Sequence, residues 1–289
     1  MIKPSRIPFL VTLSAGLFAL VCALLLWMFV FHAPLRSGDV DVDAPFDTGL
    51  GTVPRIIFTP ELPNLRDIGG WRTVDGRTVR QGLVFRSSCF NDGYEWYCSG
   101  ERTHQITDVT RDFLVSQLGI RTDLDLRQPK ELKGMEVSPL GPDVRFVNIP
   151  GEAYGDIASV DGAAALVAAL RQLLVPDALP LVVHCKAGKD RGGSFVFVLN
   201  GLLGVPLESL RRDWELSALW FPTLRSDEFV ERFSELVAVS SIFPGETLQE
   251  RLCAFVQAHG LTAEELARLR ELLVESQCPV RQVGRAPCR

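Results

Sequence analysis

Short apolar runs alternate with helical patterns through the middle of the chain. The clearest run, LPLVVHC at 179–185, has consecutive apolar residues that predict a strand buried on both faces. Other strand patterns cover residues 77–87, 120–127 and 144–150. Helical patterns cover residues 107–118, 161–174, 194–203, 207–219, 227–237, 247–257 and 262–274. This order predicts an α/β fold with a central, mostly parallel sheet flanked by helices.

Local signals mark the ends of two of these helices. Thr107 can cap the first one, and Gly119 is placed to end it. Thr262 and Glu265 form a capping-box pattern at the start of the last one. We expect the helical C-terminal third to pack on one side of the sheet.

The N-terminal part of the chain has a different pattern. Residues 9–31 carry no charged side chain, and about 20 apolar residues suffice to cross a bilayer as a helix. We therefore predict one transmembrane helix or signal anchor there, with a cleavable signal peptide as the alternative because Lys3 and Arg6 precede it. The remaining predicted parts are a short cytoplasmic N-terminus at 1–8, a linker at 32–60, a globular domain at 61–280 and a tail at 281–289.

Charge predicts an orientation and excludes one class of partner. Lys3 and Arg6 lie before the apolar segment, whereas four aspartates lie soon after it between residues 39 and 47. The positive-inside rule then predicts a single-pass membrane protein whose N-terminus is cytoplasmic and whose domain is periplasmic or extracellular. The net charge of -5 and the lack of a basic stripe argue against nucleic acid as a partner.

Seven cysteines bear on redox chemistry and metal binding. In an oxidising compartment some could pair, and we favour Cys89 with Cys98, while Cys278 could meet either Cys253 or Cys288. The chain contains no C-x-x-C and no His-rich spacing, the patterns that are typical of zinc sites, so we expect no metal. The odd count leaves at least one free thiol.

The segment HCKAGKDRGGS at 184–194 follows the buried strand and precedes a predicted helix. Such a loop lies at the carboxyl edge of a parallel sheet, where its amides and the helix dipole favour an anion and a thiolate at Cys185. Arg191 can bind two phosphate oxygens with its planar guanidinium. We therefore predict phosphoryl transfer to the sulfur and then to water. The residues expected to line the anion site are Lys186, Ala187, Gly188, Lys189, Gly192 and Gly193.

The loop resembles the signature of the protein tyrosine phosphatase superfamily, Cys-x5-Arg preceded by His. HCKAGKDRGG is similar to the H-C-x-x-G-K-D-R-T-G loop of a subfamily of bacterial tyrosine and lipid phosphatases. NLRDIGGWRTVDGRTVRQGLVFRS at 64–87 resembles the N-F-R-D-L-G-G-Y segment of the same subfamily, and 119–127 and 212–217 match two shorter segments. These marks run from about residue 60 to 220.

The resemblance implies a tyrosine phosphatase-like fold and a role for each matching residue, without a metal or other cofactor. Cys185 would be the nucleophile, Arg191 the phosphate clamp, and Asp190 the acid and then the base. Asp156 or Glu152, on an upstream loop, is the alternative acid. The residues implied to support the loop are His184, Asn64, Arg66 and Asp67.

Two features of the loop leave the substrate and the rate of turnover open. The first expected substrate is phosphotyrosine in proteins, but Lys186 and Lys189 also suit a phosphoinositide or inositol phosphate. The resemblance implies Thr or Ser after the arginine, whereas this chain has Gly192, so either Ser194 or water must replace that hydroxyl or the phosphoenzyme is hydrolysed slowly. A catalytically silent module that binds phosphorylated ligands is the alternative from another class. The oligomeric state is not predicted.

Overall fold

A computed structural model describes residues 45–47, 52–59, 61–90, 106–220 and 227–276. These residues all belong to one compact unit, which spans Asp39–Arg289. The predicted cytoplasmic segment at 1–8, the membrane segment at 9–31 and the tail at 281–289 lie outside the described residues. Within the described ranges, no helix is both long enough and apolar enough to cross a membrane.

The central sheet has five short strands, and most of them are parallel. The strands β3 to β7 lie in the order β3-β4-β7-β5-β6, and only the β3–β4 pair is antiparallel. The α/β class and the mostly parallel sheet expected from the sequence are therefore confirmed. The strand bounds are β3 Arg66–Asp67, β4 Val84–Ser87, β5 Thr122–Asp125, β6 Arg145–Asn148 and β7 Leu181–His184.

The buried apolar run became the central strand, as predicted. All four residues of β7 are buried, and β7 pairs with β4 on one side and β5 on the other. Each observed strand is shorter than its predicted range, because hydrogen-bonded pairing covers only part of each run. The pattern at 77–87 contains only β4 as a regular strand, and Val79 instead forms an isolated bridge with Val274.

Helices surround the sheet and follow the predicted order. The first begins after Thr107, whose side chain accepts a hydrogen bond from the Thr110 amide, and it continues as a π-helix over Phe113–Gln117. The capping box of Thr262 and Glu265 is formed. The helix bounds are α1 Asp108–Asp112, α2 Pro129–Leu132, α3 Val160–Gln172, α4 Arg191–Leu202, α5 Leu207–Leu216, α6 Asp227–Ser241, α7 Leu248–Ala258 and α8 Ala263–Leu273.

Helix α4 is the central helix of the domain. It begins at Arg191, three residues before the predicted start, and every residue from Gly192 to Leu202 is buried. Helices α5 and α7 pack against it. Because α4 follows β7 directly, its N-terminus lies at the carboxyl edge of the sheet beside the loop that carries Cys185.

The predicted linker at 32–60 contains ordered structure near its end. Two short strands, β1 Pro45–Asp47 and β2 Thr52–Pro54, form an antiparallel pair. Arg55 is fully buried, and its guanidinium lies 4.1 Å from the centroid of the Trp71 ring. The packed part of the domain therefore includes Arg55, and the Ile57 side chain joins the buried apolar cluster.

Candidate active site

The candidate site is the loop of residues 185–190, between β7 and α4. Cys185 comes directly after the last strand residue, and Asp190 is the residue that caps α4. The Cys185 side chain is only 1% exposed. The sequence places these residues together because a buried strand, a tight loop and a helix follow one another without interruption.

Three donors outside the loop bind four consecutive carbonyls of its backbone. The Cys89 amide donates to Lys186 O (3.2 Å), and Asn64 Nδ2 donates to Ala187 O (3.2 Å). Arg86 donates from Nη2 to Gly188 O (2.5 Å) and, at 3.4 Å, to Lys189 O. Since these carbonyls face the protein interior, the amides between them are directed the other way.

The amides of this loop are available to an anion. Within the part of the chain that the structure describes, no acceptor is recorded for the amides of residues 186–190. Together with the N-terminus of the twelve-residue helix α4, they form a site of positive potential above Cys185. This arrangement suits a phosphoryl group with several charged oxygens.

Gly188 is required by this loop on two grounds. Its φ of +67° lies in the left-handed region, and a Cβ at this position would lie 2.1 Å from the Ser87 carbonyl oxygen. Gly193 is also restricted, since a Cβ there would lie 2.8 Å from Cζ3 of Trp214. Gly192 differs from both, because a Cβ at this position meets no atom within 4 Å.

Arg191 is held by a carboxylate that the sequence analysis did not single out. Its Nη1 and Nη2 donate to Glu131 Oε2 (2.5 Å) and Oε1 (2.9 Å), and Nη1 also lies 3.3 Å from Leu126 O. Burial lowers the pKa of Arg191, but Glu131, Cys185 and Asp190 outweigh it and the net shift is upward. Arg191 is therefore a permanent cation with a fixed orientation.

Glu131 could have been found from the local sequence. It is the third residue of α2, Pro129 opens that helix, and Glu131 accepts a hydrogen bond from the Gln128 amide at 2.7 Å in a capping box. The pattern Q-P-K-E carries this signal. The hydrogen bond from Arg191 is the main reason why the pKa of Glu131 is lowered.

Asp190 lies at the open side of the loop. The Tyr154 hydroxyl donates a hydrogen bond to Asp190 Oδ1, and Lys189 Nζ lies 3.6 Å from the same oxygen. The alternative acids behave differently: Asp156 and Glu152 are exposed, and Glu152 Oε1 accepts a weak hydrogen bond from Gln128 at 3.5 Å. Of these three carboxylates, Asp190 is the one that belongs to the loop itself.

The Ser194 hydroxyl is engaged by two backbone groups. It donates to the Asp190 carbonyl (2.9 Å) and accepts from the Tyr154 amide (2.9 Å). Both contacts direct the oxygen toward the loop that contains Tyr154. In this arrangement the Ser194 hydroxyl already donates its hydrogen to the Asp190 carbonyl.

His184 supports the loop from the sheet. Its Nε2 lies 2.8 Å from Asp123 Oδ1, and its Nδ1 lies 3.3 Å from the Cys185 carbonyl oxygen. Burial lowers the pKa of His184, but the carboxylates of Asp125 and Asp123 raise it by more, so the net shift is upward. The two carboxylates thus stabilise the imidazolium form of His184 more than water does.

The three residues of the 64–67 segment have unequal roles. Asn64 contacts the loop directly, and its Oδ1 accepts a hydrogen bond from Arg66. Arg66 acts one step further away, through Asn64 and a salt bridge to Asp213 (3.1 Å). Asp67 accepts from the Gly69 and Gly82 amides at 2.7 Å and 2.5 Å, so it fixes the turn after β3 rather than the loop.

A buried charge cluster lies behind the loop. Arg86 is fully buried and pairs with Asp213 at 2.8 Å, which also pairs with Arg66. Burial lowers the pKa of Arg86 to about 9, and the two arginines lower the pKa of Asp213 despite its burial. Neither Arg86 nor Asp213 was singled out from the sequence. The signal was an arginine within the apolar strand segment LVFRS.

Cys89 is not in the disulfide favoured from the sequence. The structure has Cys89, Cys185 and Cys253 as free thiols, and Cys98 lies outside the described residues. Cys89 is fully buried beside the loop, and burial raises the pKa of its thiol to about 12. Among the described residues, no cluster of His, Cys, Asp or Glu could hold a metal ion.

The region that contains the loop is similar to known proteins. The model of the tyrosine phosphatase family matches residues 57–275, and no curated protein matches the chain. The core catalytic domain of the PP-IP phosphatase SIW14 from S. cerevisiae, solved with citrate, is similar at 17% identity over 58% of this chain and 89% of that one, with a TM-score of 0.35. TpbA from P. aeruginosa is similar at 16% identity over 62% and 89%, with a TM-score of 0.36.

Proposed function

The chain belongs to the tyrosine phosphatase family and is a phosphoric monoester hydrolase, and on that premise we propose that it removes phosphate from phosphotyrosine in proteins through a cysteinyl-phosphate intermediate. One observation carries the mechanism. The carbonyls of residues 186–189 are bound on the inner side of the loop, which directs its amides to the space above Cys185. The ion pair with Glu131 fixes the orientation of the Arg191 guanidinium.

In the first step, the Cys185 thiolate attacks phosphorus and the bond from phosphorus to the leaving oxygen breaks. The loop amides and the Arg191 guanidinium bind the three non-bridging oxygens as their charge redistributes. Asp190 gives its proton to the leaving oxygen, which departs as tyrosine hydroxyl. The enzyme then carries phosphate on sulfur.

In the second step, water attacks phosphorus, Asp190 accepts the proton of that water, and the sulfur–phosphorus bond breaks to restore the thiolate. Gly192 has no hydroxyl to donate to the departing sulfur, and the Ser194 hydroxyl is engaged by Asp190 and Tyr154. We therefore expect the second step to limit turnover.

Stopped-flow assays should show a burst of released phenol. Gly192→Ser should reduce the amplitude of this burst, because a Cβ at this position meets no atom within 4 Å and the added hydroxyl can reach the sulfur.

A second substrate class is favoured by the two lysines of the loop. Lys189 lies beside Asp190 at the rim, and Lys186 is half-buried in the loop itself. Two ammonium groups near one phosphate site suit a ring that bears several phosphates, so a phosphoinositide or inositol phosphate is the alternative substrate.

The experiment that tests the function is phosphate release by the full-length chain in detergent, with reductant and without added metal. The substrates are p-nitrophenyl phosphate, a phosphotyrosine peptide and an inositol hexakisphosphate control, each against Cys185→Ser. We expect activity on the peptide that the variant lacks. A preference for the inositol phosphate would support the alternative substrate. Phosphate binding without turnover in the wild type would instead indicate the silent binding module.

We also propose that residues 9–31 anchor the protein and place the domain outside the cytoplasm. The uncharged segment and the preceding Lys3 and Arg6 support this proposal. Added protease reaches only the part of the chain that lies outside the cytoplasmic membrane, so protease added to cells whose outer envelope has been permeabilised is the test. Digestion of the domain supports the outward orientation, and protection that is lost only when the cytoplasmic membrane is lysed contradicts it.

A further inference from the structure

We propose that Tyr154 is a positioning residue that orients Asp190 for proton transfer, so that Oδ2 of Asp190 faces the leaving oxygen. This inference rests on the proposed function and adds a residue to it. Tyr154 lies in the 3₁₀ turn Tyr154–Ala158, between β6 and α3, and comes from a different part of the chain than the loop of residues 185–190.

The contacts of Asp190 distinguish its two carboxylate oxygens. The Tyr154 hydroxyl donates to Oδ1, and Lys189 Nζ lies 3.6 Å from the same atom. Within the described residues, no donor is recorded for Oδ2. Oδ2 is therefore the oxygen left to hold a proton and release it to the substrate.

Tyr154 is held in an uncommon backbone conformation. Its φ of 56° lies in the left-handed region, which a bulky residue adopts only where surrounding contacts fix it. Its amide donates to the Ser194 hydroxyl at 2.9 Å, and Ser194 in turn donates to the Asp190 carbonyl at 2.9 Å. Main chain and side chain of Tyr154 are thus both tied to the start of α4.

The Tyr154 ring is also fixed on both sides. The centroid of the Tyr154 ring lies 6.0 Å from that of Trp214 in an edge-on contact. The guanidinium of Arg232, a residue of α6, lies 4.9 Å from the same Tyr154 centroid. Glu235, which pairs with Arg232 at 2.9 Å, accepts from the Gly155 amide at 3.3 Å. Packing of this kind fixes the direction of the hydroxyl, which the geometry at Asp190 requires.

The charges around the pair keep Tyr154 a donor. Burial and the Asp190 carboxylate raise the pKa of Tyr154, and so does Cys185, whereas Arg232 lowers it by less. Tyr154 therefore keeps its proton through both steps. Asp190 loses the proton of Oδ2 to the leaving oxygen and regains one from water, while the Tyr154 proton stays on the phenol.

The test compares wild type with Tyr154→Phe, which keeps the ring and its packing but removes the hydroxyl. The full-length chain is assayed on aryl phosphates of differing leaving-group acidity. A misdirected acid matters most for a poor leaving group, so we expect kcat/KM to fall about tenfold on phenyl phosphate and less than about twofold on p-nitrophenyl phosphate. The inhibition constant of inorganic phosphate and the Tm should stay unchanged, because the loop and the ring contacts remain.

A double-mutant cycle separates positioning from a structural role. The charged groups that face this pair are Lys189, Arg191, Arg232 and Cys185. In an Asp190→Asn background, Tyr154→Phe should have no further effect on phenyl phosphate.

The outcomes are distinct. An active wild type with the same leaving-group dependence in Tyr154→Phe overturns the inference and leaves the proposed function standing. An equal loss on both substrates, undiminished in Asp190→Asn, shows a structural role and also overturns it. A steeper dependence in Asp156→Asn, but not in Tyr154→Phe, assigns the proton to the upstream carboxylate. A wild type without turnover overturns the proposed function together with this inference.

Discussion

Two sets of side chains hold the loop of residues 185–190, and they differ in burial. The inner set, Asn64, Arg86 and Asp213, is buried and binds or supports the loop carbonyls. The outer set, Glu131 and Tyr154, is partly exposed and holds the side chains of Arg191 and Asp190. The inner set thus determines whether the anion site exists, and the outer set determines how its catalytic side chains point.

This difference predicts a division of effects. A buried ion pair leaves an uncompensated charge when one member is removed, so changes in the inner set should lower stability and phosphate affinity together. A partly exposed pair is screened by solvent more than a buried one, so changes in the outer set should lower turnover with less loss of stability. Four predictions follow in order of decreasing effect, and the first two test this division.

Arg86→Met should have the largest effect. It removes the donors to Gly188 O and one partner of the buried Asp213, and we expect a loss of about 3 kcal/mol in the free energy of unfolding. The affinity for inorganic phosphate should fall about tenfold. Denaturant unfolding and calorimetric titration measure the two effects. Arg211→Met is the matched control, since the exposed pair of Arg211 with Glu215 should contribute less than about 0.5 kcal/mol.

Glu131→Gln should separate turnover from stability. Arg191 loses its charged partner and its bidentate orientation, and we expect kcat/KM to fall about tenfold to a hundredfold, with a change in unfolding free energy below about 1 kcal/mol. Steady-state kinetics and thermal unfolding measure this. Glu136→Gln, an exposed glutamate soon after α2, makes the same charge change and should leave both values unaltered. An equal loss of stability and activity would contradict the division.

The buried His184 predicts a pH dependence of stability. Its folded pKa is raised, so protonated His184 stabilises the fold below the ordinary histidine pKa of about 6.5, and this contribution is lost as pH rises through the folded pKa. The difference in unfolding free energy between wild type and His184→Gln should therefore shrink from pH 6 toward pH 9. A difference that grows with pH would contradict the charged pair with Asp123.

Gly192→Ala should have the smallest effect and the opposite sign. Gly192 is helical, and a Cβ at this buried position meets no atom within 4 Å, so alanine should raise the free energy of unfolding by up to about 1 kcal/mol. Gly188→Ala is the contrast within the same loop, because its Cβ would meet the Ser87 carbonyl. Thermal unfolding of both variants measures the difference, and a similar loss in both would show that the loop tolerates neither change.

The sequence was informative where one signal decided the structure. The apolar run at 181–183 predicted the central strand β7, and the loop motif after it predicted the position of Cys185 and Arg191. The two-residue strand β3 carries Arg66 and Asp67, which have no apolar periodicity, so pattern could not reveal it. The strand forms by pairing with β4, which begins 17 residues after β3 ends.

The supporting residues of the site were harder to predict because their partners are remote in sequence. Asp213 meets Arg86 and Arg66 only after α5 packs beside β4, and Tyr154 meets Asp190 across two elements. From the sequence, the Ser194 hydroxyl was a candidate to hydrogen-bond the thiol because it lies only two residues after Gly192. In the structure it accepts a hydrogen bond from the Tyr154 amide, a contact that depends on the geometry of α4.

The four bound carbonyls of the loop have a consequence for the temperature dependence of ligand binding. A loop that is ordered before the ligand arrives loses little conformational entropy on binding, because folding has already fixed its dihedral angles. Phosphate then needs only to replace the water at the amides. Binding should therefore change the heat capacity very little, and the ligand should act as a thermal protectant of the whole domain.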